Sequence, residues 1–191
     1  MIGYITPTTE SLDFSKIEDG QMEIVPVRYE TVALIDDLVN MILDKAQKKG
    51  LEFRTEISSK LPRSLYGDDV RIRQVITNIL TNAVKYTHAG HVTLKITGAE
   101  IDADTFELRV EVSDTGIGIR AEDMSKLFQS FQRLDEERNR NIDGTGLGIA
   151  IVQKLLAMMD SRLEVDSFYG SAQDDFRFSV ADISDEITLA K

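Results

Sequence analysis

Two carboxamides and an ammonium group recur at helical spacing in one segment, at Asn78, Asn82 and Lys85. At about 100° per residue they share one side of a helix. The opposite side carries Ile72, Val75, Ile76, Ile79, Leu80 and Ala83. An Asn carbonyl oxygen is a hard, neutral ligand that suits Mg²⁺, an ion that keeps several waters and shares the phosphates of its substrate. A Lys one turn further on can meet phosphate charge. The same three residues also fit a solvated helix face, so the group by itself does not choose between the two.

Two glycine-rich motifs follow. In Val112-Ser113-Asp114-Thr115-Gly116-Ile117-Gly118-Ile119 an apolar strand ends at an Asp, with glycines at alternate positions beyond it. Such glycines let a flat ligand come close to the backbone, and a carboxylate there can accept a hydrogen bond from an amino group. An ordinary Asp-Gly turn reads the same way. Gly144-Thr145-Gly146-Leu147-Gly148-Ile149-Ala150-Ile151 opens a helix, where exposed backbone N–H groups and the helix dipole favour an anion. Plain loop glycines ahead of a helix would also account for it. A dinucleotide-binding fingerprint is excluded by context, because these glycines follow a long irregular stretch and no strand. A P-loop is excluded because no Gly-Lys-Ser/Thr occurs.

The elements that must position these groups are legible from periodicity. Gln21 to Glu30 reads as an edge strand at best, because of Pro26. A helix over Thr31 to Lys49 carries the stripe Val32, Ile35, Val39, Ile42 and Ala46, widened by Leu38 and Leu43, and ends at Gly50. Leu51 to Ile57 follows as a strand and Leu61 to Gly67 as a loop. The helix bearing the carboxamides spans Asp69 to Tyr86. Strands are expected at His91 to Thr97 and Thr105 to Val112. Gly116 to Gly144 is polar and irregular, with one helical turn near Ala121 to Phe128. A stretch of that length suits a functional lid or a disordered insert. A last helix covers Gly146 to Met159, and strands at Arg162 to Ser167 and Phe176 to Ile183 close the chain. Three helices and about five strands, mainly antiparallel, make an α+β two-layer sandwich.

Composition bounds the function classes. The 191 residues suit one domain, or one domain with an appendage, and the absence of Cys excludes disulfides and thiolate chemistry. A net charge of −11 makes nucleic acid an unsuitable partner. No apolar run reaches the ~20 residues that span a bilayer, and the N-terminus lacks the form of a signal peptide.

Taken in order, four segments resemble the N, G1, F and G2 boxes of bacterial sensor histidine kinases, with family-like gaps. They are Arg71 to Thr87 (RIRQVITNILTNAVKYT), Asp114 to Ile119 (DTGIGI), Leu127 to Phe131 (LFQSF) and Gly144 to Ile151 (GTGLGIAI). The likeness covers about Leu12 to Val180. Leu12 to Ile17 (LDFSKI) resembles the end of a dimerisation helix hairpin and its hinge into the catalytic domain.

This resemblance implies the catalytic, ATP-binding domain of such a kinase, within the GHKL superfamily and with its Bergerat fold. ATP would lie between the sandwich and a mobile lid. By position, Asn82 would ligate Mg²⁺, Asn78 would support it, and Lys85 and Tyr86 would lie at the phosphates. Asp114 would bind the adenine amino group, and Gly116 and Gly118 would shape the adenine pocket. Gly144, Gly146 and Gly148 would form the lid hinge and phosphate cradle. Ile119, Phe131, Thr145 and Leu147 fall in the matched boxes and belong to the same ATP-binding set. Arg133 stands where family members place a phosphate-contacting Arg, so the expected catalytic residues are Asn82, Lys85 and Arg133. Arg138 and Arg140 are further lid candidates.

Hydrolytic members of the superfamily carry a Glu four residues before the Mg²⁺-binding Asn, as a general base toward water. Here that position is Asn78, whose amide cannot accept a proton, and this favours phosphoryl transfer to a protein acceptor. The only histidines, His88 and His91, lie after the N box where exposure is expected, so no phosphoacceptor is visible. The acceptor would come from a dimerisation and His-phosphotransfer domain, in cis or in trans, with a response regulator as an indirect partner. The expected place is cytoplasmic, with a parent protein that could be membrane-anchored. Family members continue with Gly-x-Gly-Ser-x-Phe, whereas Gly170 to Phe176 reads GSAQDDF. That departure motivates an alternative, a non-catalytic nucleotide-binding or regulatory module of the same superfamily. The domain reading is 1–20 as hinge segment, 21–185 as catalytic domain and 186–191 as C-terminal tail.

Overall fold

The computed structural model describes residues 9–120, 122–126, 146–167, 176–183 and 188–189. The elements run α1 Thr9–Glu18, β1 Val27–Glu30, α2 Thr31–Lys48, β2 Glu52–Ile57, β3 Ser64–Gly67, α3 Asp69–Tyr86, β4 His91–Glu100 and β5 Phe106–Asp114. A single 3₁₀ turn at Met124–Lys126 precedes α4 Gly148–Met158, β6 Arg162–Asp166, β7 Phe176–Ile183 and β8 Thr188–Leu189.

The main sheet has the order β2-β4-β5-β7-β6. β2 lies parallel to β4, and the remaining neighbours are antiparallel. Along β4 the inward residues Val92, Leu94 and Ile96 are buried while their neighbours are half-buried, so one face meets the helices and the other faces out. This is the expected α+β two-layer sandwich with a mixed, mainly antiparallel five-stranded sheet.

The helix α3 forms where its 3.6-residue period predicts. All six stripe residues from Ile72 to Ala83 are buried, and Val84 joins them. Its start is fixed by Asp68, a residue absent from the periodic pattern. Asp68 Oδ1 accepts the Arg71 N–H at 3.0 Å, an N-cap worth roughly 0.5–2 kcal/mol. The other carboxylate oxygen accepts the Val25 N–H at 2.8 Å and pins the segment before β1.

Several expectations need correction. β1 occupies only the last four residues of Gln21 to Glu30. Its partner β3 lies inside the expected loop Leu61 to Gly67, pairing Val27 with Gly67 through Glu30 with Ser64. In α2 the buried arc is Thr31, Leu34, Ile35, Leu38, Ile42 and Ala46. Val32 stands on its flank, 62% exposed, because the helix turns Leu34 and Leu38 inward. Thr188–Leu189, placed by the sequence in the C-terminal tail, pair with β3 as a strand too short to show a period.

Within residues 1–20, α1 rests on the domain through Phe14 and Ile17, which pack against the core. Asp13 accepts a hydrogen bond from Gln74 Nε2 at 2.8 Å, and Glu18 pairs with Lys154.

Candidate functional site

The last turns of α3 meet the turn after β5 through Tyr86 and Thr87 and the start of α4 through Asn82. Asp114 closes β5, opposite Val92 of β4, and is 3% exposed. Burying a carboxylate is costly unless its oxygens are paired, and Oδ1 accepts the Gly116 N–H at 2.8 Å. The Thr87 hydroxyl lies 3.1 Å from that same oxygen and 2.7 Å from the Ala83 carbonyl, so one proton serves two acceptors. Thr87 is fully buried.

This packing explains Gly116. A Cβ there would stand 2.5 Å from Asp114 Oδ1, 2.8 Å from the Tyr86 carbonyl and 3.1 Å from Thr87 Oγ1. The backbone can run this close to α3 only without a side chain. The Ile117 N–H reaches the Tyr86 carbonyl at 3.4 Å and closes the turn onto the helix. Gly118 has a φ of +65°, the left-handed region, and Ile119 packs against the core while its N–H reaches Ser167 Oγ at 2.7 Å.

On α3 itself, Asn78 and Asn82 are half-buried. The Nδ2 of Asn78 is enclosed and has no hydrogen-bond partner among the described residues. An enclosed, unpaired donor of this kind costs roughly 1–3 kcal/mol and needs an explanation. Asn82 faces the start of α4, where a Cβ on Gly148 would lie 3.6 Å from its Nδ2. Gly146 has a φ of +72°, and Leu147, which precedes the helix, is buried. Lys85 folds back so that its ammonium lies 5.0 Å from the Tyr86 ring centre.

Asn78, Asn82, Lys85, Tyr86, Asp114, Gly116, Gly118, Ile119, Gly146, Leu147 and Gly148 all belong to the elements that meet here. Phe131, Arg133, Gly144 and Thr145 lie outside the described residues, as do Arg138, Arg140, the LFQSF segment and Gly170 to Asp175. The helical turn expected over Ala121 to Phe128 is present as the 3₁₀ turn Met124–Lys126. His88 is exposed as expected, whereas His91, which opens β4 where the strand was expected to begin, is half-buried.

Two partners of the site were not visible as chemistry in the sequence. Thr87 stands at the end of the N-box segment, but its contact with Asp114 spans 27 residues. Thr115 likewise turns its hydroxyl to the Ala89 and His91 carbonyls, and Gly90 leaves the room for it. No spacing rule signals either contact.

The family described as histidine kinase-, DNA gyrase B- and HSP90-like ATPase matches residues 67–183. The sensor histidine kinase GacS of Pseudomonas protegens is 34% identical over 165 residues, which is 86% of this chain and 18% of GacS. The signal transduction histidine-protein kinase BarA of Escherichia coli is 35% identical over 156 residues, or 82% of this chain and 17% of BarA. The crystal structure of full-length ShkA in complex with AMPPNP shares 30% identity at a TM-score of 0.75, covering 95% of this chain and 35% of that one. The chain thus spans less than a fifth of GacS and BarA.

Proposed function

Because the chain belongs to the histidine kinase-, DNA gyrase B- and HSP90-like ATPase family, we propose that it is the ATP-binding catalytic domain of a two-component sensor histidine kinase. It would transfer the γ-phosphoryl group to a His on a dimerisation domain supplied in cis or in trans. A response regulator would be the indirect recipient. The observation that carries this reading is that one helix, α3, meets the held Asp114–Gly116 turn through Tyr86 and Thr87 and the α4 start through Asn82.

In this reading Asp114 accepts a hydrogen bond from the adenine amino group, and the Gly116 backbone lies along the base. Asn78, whose Nδ2 is enclosed without a hydrogen-bond partner among the described residues, would support Asn82 from one turn earlier on the same helix face. Lys85 swings from Tyr86 toward the phosphates. Gly146 and Gly148 present backbone N–H groups at the α4 start, and Arg133 adds charge at the phosphates.

The residues also fit a divalent ion of the Mg²⁺ kind. Among the described residues no group of three or more His, Cys, Asp or Glu could hold a metal. A neutral ligand set at Asn82, supported by Asn78, suits an ion bound largely by phosphate oxygens and water. Mg²⁺ would there neutralise charge on the phosphates. Asn78, an amide in place of a carboxylate base, leaves water unactivated, so ATP is kept for transfer.

The test is incubation of the chain with labelled Mg-ATP and a separate dimerisation domain bearing an acceptor His. Acid-labile label on that domain, absent without the chain, is the expected result. Nucleotide binding with no transfer to several such domains would favour the alternative, a non-catalytic nucleotide-binding or regulatory module.

A further inference from the structure

Lys49, the residue just beyond α2, reaches across to the end of α3. Its Nζ donates to the carbonyls of Val84 at 2.8 Å, Lys85 at 2.6 Å and Thr87 at 2.8 Å. The last carbonyls of a helix lack intrahelical donors and carry its negative dipole end. An ammonium has three donors, and all three are used. The carbonyl left out of this set, that of Tyr86, accepts the Ile117 N–H from the turn beyond Asp114. Four consecutive carbonyls are therefore gripped from two sides, by α2 and by the glycine turn.

We infer that Lys49 is a positioning residue of the nucleotide site, holding Tyr86 and Thr87 in register with the Asp114 to Ile117 turn. This inference rests on the nucleotide-binding reading above. Lys49 does not itself reach Asp114. It fixes the strand of backbone from which the Thr87 hydroxyl meets Asp114 and against which Gly116 packs. Partial burial lowers the Lys49 pKa from its ordinary value through desolvation, while the three carbonyls it donates to favour the charged form. Lys49 also stands at the surface, so water can take over the carbonyls when the ammonium is removed. Its loss therefore loosens the geometry and leaves the fold intact.

The experiment compares Lys49→Met, which keeps the aliphatic stem, with Lys49→Arg, which restores charge and donors. Ile42→Val, a core change in α2, serves as a control for general destabilisation. AMPPNP affinity is measured by calorimetry well below each melting temperature, and backbone amide exchange is followed at Gly116 and Ile117. Lys49→Met is expected to bind about tenfold more weakly, the usual worth of a lost charged hydrogen-bond set, with faster exchange at both amides. Lys49→Arg is expected to recover most of the affinity. If Lys49→Met binds no worse than Ile42→Val, or both amides exchange as in the wild type, the inference is overturned. Failure of the wild type to bind AMPPNP would instead overturn the nucleotide-binding reading, while the exchange comparison would still decide the grip.

Discussion

Thr87 Oγ1 lies 3.1 Å from Asp114 Oδ1, joining the end of α3 to the end of β5 inside a fully buried contact. The same carboxylate oxygen holds the Gly116 N–H. One atom thus ties a helix terminus, a strand end and a glycine turn together. The aim of the Asp114 carboxylate depends on all three.

Replacing Thr87 by Val removes the hydroxyl and keeps the shape. A hydrogen bond to a charged group contributes about 1.5–3 kcal/mol. At about 2–4 °C per kcal/mol for a chain of this size, the melting temperature of Thr87→Val should fall by several degrees. An unchanged melting temperature would show that the contact contributes nothing.

The two glycines that flank the site should respond differently to Ala. At Gly116 the new methyl would stand 2.5 Å from Asp114 Oδ1 and 2.8 Å from a backbone carbonyl. Overpacking of this sort costs about 1–3 kcal/mol, and it should displace the carboxylate and weaken nucleotide binding. At Gly148 the nearest atom is Asn82 Nδ2 at 3.6 Å, an ordinary contact. Gly148→Ala should therefore fold with undiminished stability. Thermal melts of both variants check the contrast, and equal losses would contradict it.

Tyr29 provides a pH signature remote from the site. Its hydroxyl is buried without a hydrogen-bond partner among the described residues. Burial, and then the nearby charge of Asp69, raise its pKa above the ordinary phenol value. In the folded protein the proton stays on above pH ~10, where the unfolded chain loses it. Ionisation then favours the unfolded state, so stability present below pH ~10 declines as the pH rises beyond it. Tyr29→Phe should flatten that alkaline decline in a denaturant series. At neutral pH it should be neutral, or stabilising by up to about 1 kcal/mol, because no hydrogen bond is lost. A destabilisation of several kcal/mol would show that the hydroxyl has a partner.

Where the sequence carried a sustained period, as in α3, the structure follows it. The α3 stripe sustained its spacing over a whole helix, so Ile72 through Ala83 were legible as core and Asn78 and Asn82 as a separate face. The order of the boxes was legible for a different reason, because combination and sequence gaps survive without any knowledge of packing. β3 escaped notice because SLYG is four residues beside Pro62, with no room for an alternation. The contacts that finish the site were also out of reach. Thr87 meets Asp114, and Lys49 grips Val84, only after distant segments have folded together. The side-chain types alone do not encode such pairings. Val32 shows the converse limit, since its period placed it on the α2 stripe and packing rotated the buried arc past it.

The most direct test of the central claim is a calorimetric titration of the chain with AMPPNP and Mg²⁺, beside the same titration of Asp114→Asn. Saturable binding is expected for the wild type, weakened by about 1.5–3 kcal/mol in the variant, as loss of a charge-assisted hydrogen bond entails. Equal affinity of the two proteins, or no heat of binding to the wild type, would contradict it.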